Sequence, residues 1–99
     1  MKLRWSKEAK ADSAAIAKYI ARDKPKAAYA WVNRLRERAR QATTIPYAGR
    51  VVPEFGRNDV REVFLRTYRI IYRIEDGWIV VVKVVDGRKL LDGVDPDVQ

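Results

Sequence analysis

The side chains able to do chemistry in this chain are of few types, because its 99 residues include no histidine and no cysteine. That composition excludes the usual general base near neutral pH, the thiol nucleophile and the thiolate metal site. Any catalysis must therefore use Tyr, Lys, Arg, Asp or Glu. The 21 Lys and Arg residues outnumber the 13 Asp and Glu residues, giving a formal net charge of +8. Such a charge favours a polyanionic partner: nucleic acid, an anionic membrane surface or an acidic protein.

The densest run of such side chains is Tyr68-Arg69-Ile70-Ile71-Tyr72-Arg73. Its period of two predicts a strand, and Asp76-Gly77 predicts a two-residue turn into the next strand. Without a bulge, this hairpin places the two tyrosines on one face of the sheet and the two arginines on the other. The arginine face then also carries Ile71, Trp78, Val80, Val82 and Val84.

We expect the tyrosine face to pack against helices. The arginine face is apolar apart from its two guanidinium groups, and no further layer of regular structure remains to cover it. A large open apolar patch is rare on a monomer, so this face is predicted to meet a partner. The alternative is that the loop 43–59 or the C-terminal tail folds over it.

The elements that must position these residues read β-α-α-β-β-β. Helical periodicity predicts one helix from Glu8 to Arg22, after an N-cap at Ser6, and another from Pro25 to about Gln41. Strands are predicted at Lys2–Trp5, Val60–Leu65, Tyr68–Glu75 and Trp78–Val85, with a loop at Thr43–Asp59 that holds a brief strand near Arg50–Val52. The predicted fold class is therefore α+β, an antiparallel sheet with a helical hairpin packed on one face. We expect one domain over residues 1–99 with a flexible tail at 90–99. We also expect neither a membrane span nor a signal peptide, and their absence favours a cytoplasmic location.

The second predicted helix combines an apolar stripe, which includes Trp31 and Leu35, with rows of arginine on both sides. The arginines are Arg34 and Arg38 on one side and Arg36 and Arg40 on the other. Such rows are usually a solvated face. Beside an apolar groove, their aliphatic stems and charged ends would also suit an acidic helix.

Three segments of the chain follow one another in a distinctive order. Gly49-Arg50-Val51-Val52-Pro53-Glu54-Phe55-Gly56 precedes Asp59-Val60-Arg61-Glu62, which precedes Tyr68-Arg69-Ile70-Ile71-Tyr72-Arg73-Ile74. Together with the β-α-α-β-β-β order, these segments resemble the RelE/ParE toxin superfamily, and in particular its ParE-like, or plasmid-stabilisation, branch. The resemblance extends from the Ala9–Ile20 helix to Gly87.

The resemblance implies a bacterial toxin of a type II toxin–antitoxin system, neutralised by an acidic, ParD-like antitoxin. ParE-like toxins poison DNA gyrase, whereas RelE-like relatives with the same fold cut mRNA on the ribosome. The fold alone therefore leaves the activity open. A third possibility is a family member that only binds its antitoxin during transcriptional repression.

A ribosome-dependent mRNA endonuclease is the main alternative function. Nucleases of the RelE type take an acid–base pair from sheet residues and from a Tyr or His near the C-terminus. Here the end of the last strand is followed by Asp86, Gly87, Arg88 and Lys89, with neither residue there or beyond, and the carboxylate of Asp86 repels phosphate. Non-catalytic inhibition of gyrase is the favoured interpretation, and a nuclease on this chain would be metal-independent.

Two sets of candidate binding residues follow, and neither is catalytic or expected to hold a metal or cofactor. The candidates for antitoxin binding are Trp31, Arg34, Leu35, Arg36, Arg38, Arg40, Ile71, Val80 and Val82. The candidates for target binding are Arg50, Arg61, Arg69, Arg73, Arg88 and Lys89. Sequence-specific DNA binding is not expected from the toxin alone.

Overall fold

The computed structural model describes residues Met1–Gln99 as one sheet with two helices on one face. The helices are α1 (Lys7–Ala21) and α2 (Pro25–Thr44), and the strands are β1 (Lys2–Trp5), β2 (Arg50–Val51), β3 (Val60–Leu65), β4 (Tyr68–Glu75) and β5 (Trp78–Asp86). The predicted α+β order is confirmed. Helix α2 continues to Thr44 instead of ending near Gln41, and a 3₁₀ turn at Pro46–Ala48 follows it.

Helix α1 begins at a cap that also ties it to the sheet. The Ser6 hydroxyl accepts a hydrogen bond from the amide of Ala9 at 3.0 Å and donates one to the carbonyl of Val82 at 3.1 Å. Ser6 is fully buried, so both bonds are shielded from water. The cap therefore fixes where the helix starts relative to β5.

The sheet has five strands in the order β1-β5-β4-β3-β2. The meander β3-β4-β5 is antiparallel, as predicted, and β2 pairs antiparallel with β3. Strand β1 instead runs parallel to β5, with Lys2 opposite Trp78 and Trp5 opposite Val81. The sheet is therefore mixed, because the helical hairpin carries the chain away from β1 before the meander returns beside it.

The helices bury one face of this sheet in a continuous apolar core. Trp31 of α2 meets Tyr68 of β4 edge to face, with 5.4 Å between the ring centroids. The buried residues of this side are Ala9, Trp31, Leu35, Ala39, Ala42, Leu65, Ile70, Tyr72, Ile74, Ile79, Val81 and Val84. The prediction that the tyrosine face packs on the helices is confirmed.

The opposite face of the sheet is covered, so the prediction of an open face is wrong. Ile71, Val80 and Val82 are fully buried there, together with Val52 and Val60. Phe55 from the loop and Leu91 and Val98 from the tail pack against them. The alternative stated above is the correct one, because both the loop and the tail fold over this face. Whether the tail is flexible stays a prediction.

A bulge in the β4–β5 pairing changes which side chains share a face. Tyr72 lies opposite Val81, while Ile71 lies opposite Lys83, so β5 contains one extra residue at this point. Beyond the bulge, Val84 joins the helix side and Val85 joins the covered face. The assignment of Val84 to the arginine face is therefore wrong.

Candidate binding surfaces

The first set of charged residues forms a buried network beneath the loop that follows β2. Arg69 of β4 donates to Glu62 of β3 at 2.6 Å and makes a two-pronged contact with Glu54 of the loop at 2.7 and 2.8 Å. Arg50 also pairs with Glu62, whose side chain is inaccessible to solvent. The hydrogen bond from Arg69 lowers the pKa of Glu54 to about 2. The network thus fastens the loop to the sheet.

A second network holds the C-terminal tail. Arg73 donates to the carboxylate of Glu75 and to the carbonyl oxygens of Pro96 and Val98 at 2.7 and 2.9 Å. Arg57 makes ion pairs with Asp59 and Asp97 at 2.9 and 3.0 Å. The Arg57 guanidinium holds the pKa values of both aspartates below their usual range.

Burial restricts access to several of the candidate site residues. Arg69 and Arg73 are 5% and 4% exposed and are already bonded to carboxylates or carbonyls, so they do not offer free cations to a target. Ile71, Val80 and Val82 are inaccessible, so an antitoxin cannot reach them without displacing the loop and the tail. The sequence pattern could not reveal this cover, because neither covering segment has regular structure.

Two further target candidates, Arg50 and Arg61, lie at the β2–β3 edge and also hold the loop. Arg61 donates to the carbonyls of Asn58 and Gly49 at 2.9 and 3.0 Å, and its guanidinium lies 5.1 Å from the centroid of the Tyr47 ring. Arg50 is the partner of Glu62 described above. Both keep some exposure, but their charged ends already have partners within the chain.

The last two target candidates follow β5 and remain accessible. Arg88 pairs with Asp86 at 2.7 Å, and this hydrogen bond lowers the pKa of Asp86 to about 2. Lys89 is exposed and has no ion-pair partner, and it lines a cavity together with Tyr68. Of the six target candidates, these two alone lie on a surface that is not engaged in fastening the loop or tail.

The helical hairpin carries an open groove on the surface between α1 and α2, here called the hairpin groove. Two adjoining cavities of about 400 and 430 Å³ form it, and they share Ala17, Val32 and Arg36. The other lining residues are Trp5, Lys10, Ser13, Ala14, Lys18, Ala21, Pro25, Ala28, Tyr29, Asn33 and Leu35. Its floor is made of small apolar side chains, its charged residues are all cationic, and no carboxylate lines it.

The structure separates the α2 residues that were grouped as antitoxin candidates. Arg36 borders the hairpin groove and Leu35 lines it, although Leu35 is almost fully buried. Trp31 lies in the core, and Arg34 lies on a different side of α2. Arg38 donates to the carbonyl of Phe64 at 3.1 Å, which ties it to β3. Arg40 makes an exposed ion pair with Glu37 within the helix.

Sequence reasoning missed the α1 wall of this groove. Ala14, Ala17 and Ala21 recur at helical spacing and leave room between the helices, while Lys10 and Lys18 border the space. The spacing of the alanines was a usable signal, since small residues on one helical face let another element approach closely.

Three further features of the structure concern metal binding, tyrosine chemistry and membrane insertion. No group of three or more Asp or Glu side chains lies close enough to hold a metal ion. The Tyr72 hydroxyl donates to the carbonyl of Pro46, and burial raises the pKa of this phenol above its usual value, so it is a poor base. Neither helix is long and apolar enough to cross a membrane.

Comparison with known proteins identifies the family. The family model described as the ParE toxin of the type II toxin–antitoxin system parDE matches residues 3–91. A solved structure of a chromosomal ParDE toxin–antitoxin system from P. aeruginosa is similar with a TM-score of 0.73 and 21% identity, over 87% of this chain and 95% of that chain. No curated protein matches the sequence. Since the family match spans most of the sequence, the chain belongs to the ParE family of toxins from type II toxin–antitoxin systems.

Proposed function

We propose that an acidic, amphipathic helix of a ParD-like antitoxin lies in the hairpin groove and holds this toxin inactive, and that the free toxin inhibits DNA gyrase. The observation that carries the first part is the groove itself. It joins a small-residue apolar floor to the cationic residues Lys10, Lys18 and Arg36, without any carboxylate of its own. An apolar face with acidic flanks is the complementary partner.

The dimensions of the groove suit a helical occupant. Lys10 and Lys18 are eight residues apart on α1, which corresponds to about 12 Å along the helix axis. A bound helix could place acidic residues about two turns apart to meet them. The alanines of α1 allow the backbones to approach closely, so burial of apolar surface would add to the charge attraction.

The groove is tested by reversing its charge. We expect Arg36→Glu and Lys10→Glu each to weaken binding about 10- to 100-fold, because each change places like charges against an acidic partner. The measurement is calorimetric titration with a peptide from the acidic C-terminal half of the antitoxin encoded by the neighbouring gene. Arg40→Glu is the matched control, since Arg40 is on the same helix but outside the groove. Equal losses in all three variants would contradict the groove as the binding site.

Inhibition of gyrase is the favoured activity because the sheet lacks the free groups that an RNA-cleaving site needs. Arg50, Arg69 and Arg73 are neutralised by Glu54, Glu62 and Glu75, and burial raises the pKa of Tyr72, so its phenol stays protonated near neutral pH. Family membership supports the same activity. The accessible surface at Arg88 and Lys89 is the candidate contact with the target.

Purified toxin added to a gyrase supercoiling reaction should trap cleaved DNA. Arg88→Glu combined with Lys89→Glu should require about tenfold more toxin for the same effect, while Arg40→Glu should not. Unchanged supercoiling at micromolar toxin would refute the gyrase target. Codon-positioned cuts in transcripts after expression in cells would instead establish the ribosome-dependent endonuclease.

A further inference from the structure

A second basic cavity lies on a different side of α2 from the hairpin groove. It occupies about 460 Å³ between the α1–α2 connection and the β3–β4 turn. Lys24, Arg34 and Arg66 contribute its charges, and Trp31 and Tyr68 contribute aromatic surface. No Asp or Glu lines it. It shares no lining residue with the hairpin groove, so it can be tested independently of antitoxin binding.

The three cations of this cavity have no counter-charge within the protein. The side chains of Arg34, Arg66 and Lys24 are exposed and take part in no ion pair or hydrogen bond, whereas the sheet residues Arg69 and Arg73 are neutralised by carboxylates. Three like charges around one cavity repel one another, and a bound anion would offset that repulsion. The arrangement is therefore complementary to a multiply charged ligand.

Arg66 is also held in a backbone conformation that its residue type disfavours. Its φ of +54° makes it the one non-glycine residue in the left-handed region, in the two-residue turn between β3 and β4. Glycine or asparagine would adopt this conformation at lower cost. An arginine at this position places a guanidinium group at the cavity, and neither glycine nor asparagine has such a group.

Trp31 and Tyr68 form an aromatic wall of the cavity. The Nε1 atom of Trp31 has no acceptor in the protein, but it is buried and does not reach the cavity surface. The first turn of α2 adds Ala27 to the lining, and the cap residue Lys24 makes no side-chain hydrogen bond to the helix amides. The start of this 20-residue helix therefore lies beside the cavity.

We propose that this cavity binds a phosphate group of a nucleic-acid backbone. The two non-bridging oxygens of a backbone phosphate can accept hydrogen bonds from guanidinium and ammonium groups, and successive phosphates along a strand supply the several negative charges that three cations can meet. The neighbouring cavity, which shares Tyr68, contains Lys83 and Lys89 but also Asp12 and Asp86, so the phosphate contact is assigned to the first cavity alone. The contact is with the backbone and carries no base specificity.

The test compares Arg66→Asn with Arg40→Asn in fluorescence anisotropy titrations of a short labelled single-stranded DNA. We expect Arg66→Asn to weaken binding about tenfold and to reduce the slope of log affinity against log salt by about 1. Arg40→Asn removes the same charge from an exposed helical position away from the cavity, so its effect should be smaller than twofold. Asn tolerates the left-handed conformation, and the melting temperature of the Arg66 variant should therefore not fall.

Three results would overturn the proposal. Equal weakening by both substitutions would show that DNA binding depends only on the net charge of the protein. Binding of inorganic phosphate without binding of the oligonucleotide would make the cavity a free-anion site. Loss of antitoxin-peptide affinity in Arg66→Asn, with DNA affinity unchanged, would assign the cavity to the protein partner. The outcome of the experiment on the hairpin groove does not depend on any of these three results.

Discussion

Two groups of arginines in this protein have opposite environments. Arg69 and Arg73 are buried, and each donates to at least two partners. Arg34, Arg36 and Arg66 are exposed and have no partner within the chain. The positive charge of this toxin is therefore found in two settings. Paired guanidinium groups fasten irregular segments to the sheet, and unpaired ones border the cavities that we propose as sites for anionic partners.

The fastened segments form a third layer made without helices or strands. Loop residue Glu54 and tail residues Pro96 and Val98 satisfy the sheet arginines and help to exclude water from the apolar face. The family match ends at residue 91, whereas the tail contacts with Arg73 come from residues 96 and 98. The contacts of Pro96 and Val98 therefore lie beyond the matched segment, whereas Leu91, which also covers this face, lies at its end.

The largest effect is expected from removing a paired arginine. Arg69→Ala leaves the buried carboxylate of Glu62 with only the partly exposed Arg50 as partner, and it releases Glu54. Loss of one member of a buried pair typically costs about 3–5 kcal/mol of unfolding free energy. Urea denaturation measures it, with Arg34→Ala as the control at an unpaired arginine. A loss below 1 kcal/mol would show that the sheet arginines are not structural.

A smaller effect is expected from removing the end of the tail. Truncation after Asp92 deletes the two carbonyl acceptors of Arg73 and the apolar contact of Val98. The unfolding free energy should fall by about 2 kcal/mol. Binding of a hydrophobic dye should rise, because Val80 and Val82 lose part of their cover. Unchanged stability and dye binding would mean that the tail does not cover this face in solution.

The third prediction concerns pH and the partner of Arg69. The pKa of Glu54 in the folded chain is about 2, below its usual value of 4.5, because Arg69 donates to it. A lowered folded-state pKa stabilises the protein above about pH 4.5, and this stabilisation is lost as the pH falls towards 2. Glu54→Gln should therefore lower the unfolding free energy at pH 7 but have little effect near pH 2. The loss at pH 7 should be on the order of 1 kcal/mol, less than the full shift implies, since 40% of the Glu54 side chain is exposed. A pH-independent difference between the two proteins would contradict this ion pair.

The regular elements were predictable from the sequence, because their signals are local. Strand alternation and Asp76-Gly77 located β4 and β5, and Ser6 and Pro25 located the helix starts. The bulge opposite Ile71 and Tyr72 was not predictable from the sequence. The facing strand β5 is a run of valines, and its hydrophobic pattern is the same in either register. A register shift of that size moves side chains to the opposite face.

The covered face and the second basic cavity depend on contacts between distant segments. The partners of Arg73 include residues 23 and 25 positions away, in a tail whose few apolar residues lie among aspartates. Lys24, Arg34 and Arg66 come from a helix start, a helix interior and a strand turn. Periodicity within one element carries no information on such convergence, and the tertiary structure alone brings these charges together.

The smallest effect on stability, and the sharpest test of the comparison, concerns the unpaired arginines. Arg34→Ala and Arg36→Ala should each change the unfolding free energy by less than about 0.5 kcal/mol, because neither side chain has a partner to lose and alanine is a better helix former. The same substitutions should weaken binding, of antitoxin peptide for Arg36 and of DNA for Arg34. Stability is measured by urea denaturation, and Arg69→Ala is measured in parallel. For Arg69→Ala we expect the reverse pattern, in which the main effect is a loss of stability. If Arg34→Ala or Arg36→Ala destabilised the fold as strongly as Arg69→Ala, the division between fastening and binding arginines would fail, since unpaired charges would then be part of the scaffold.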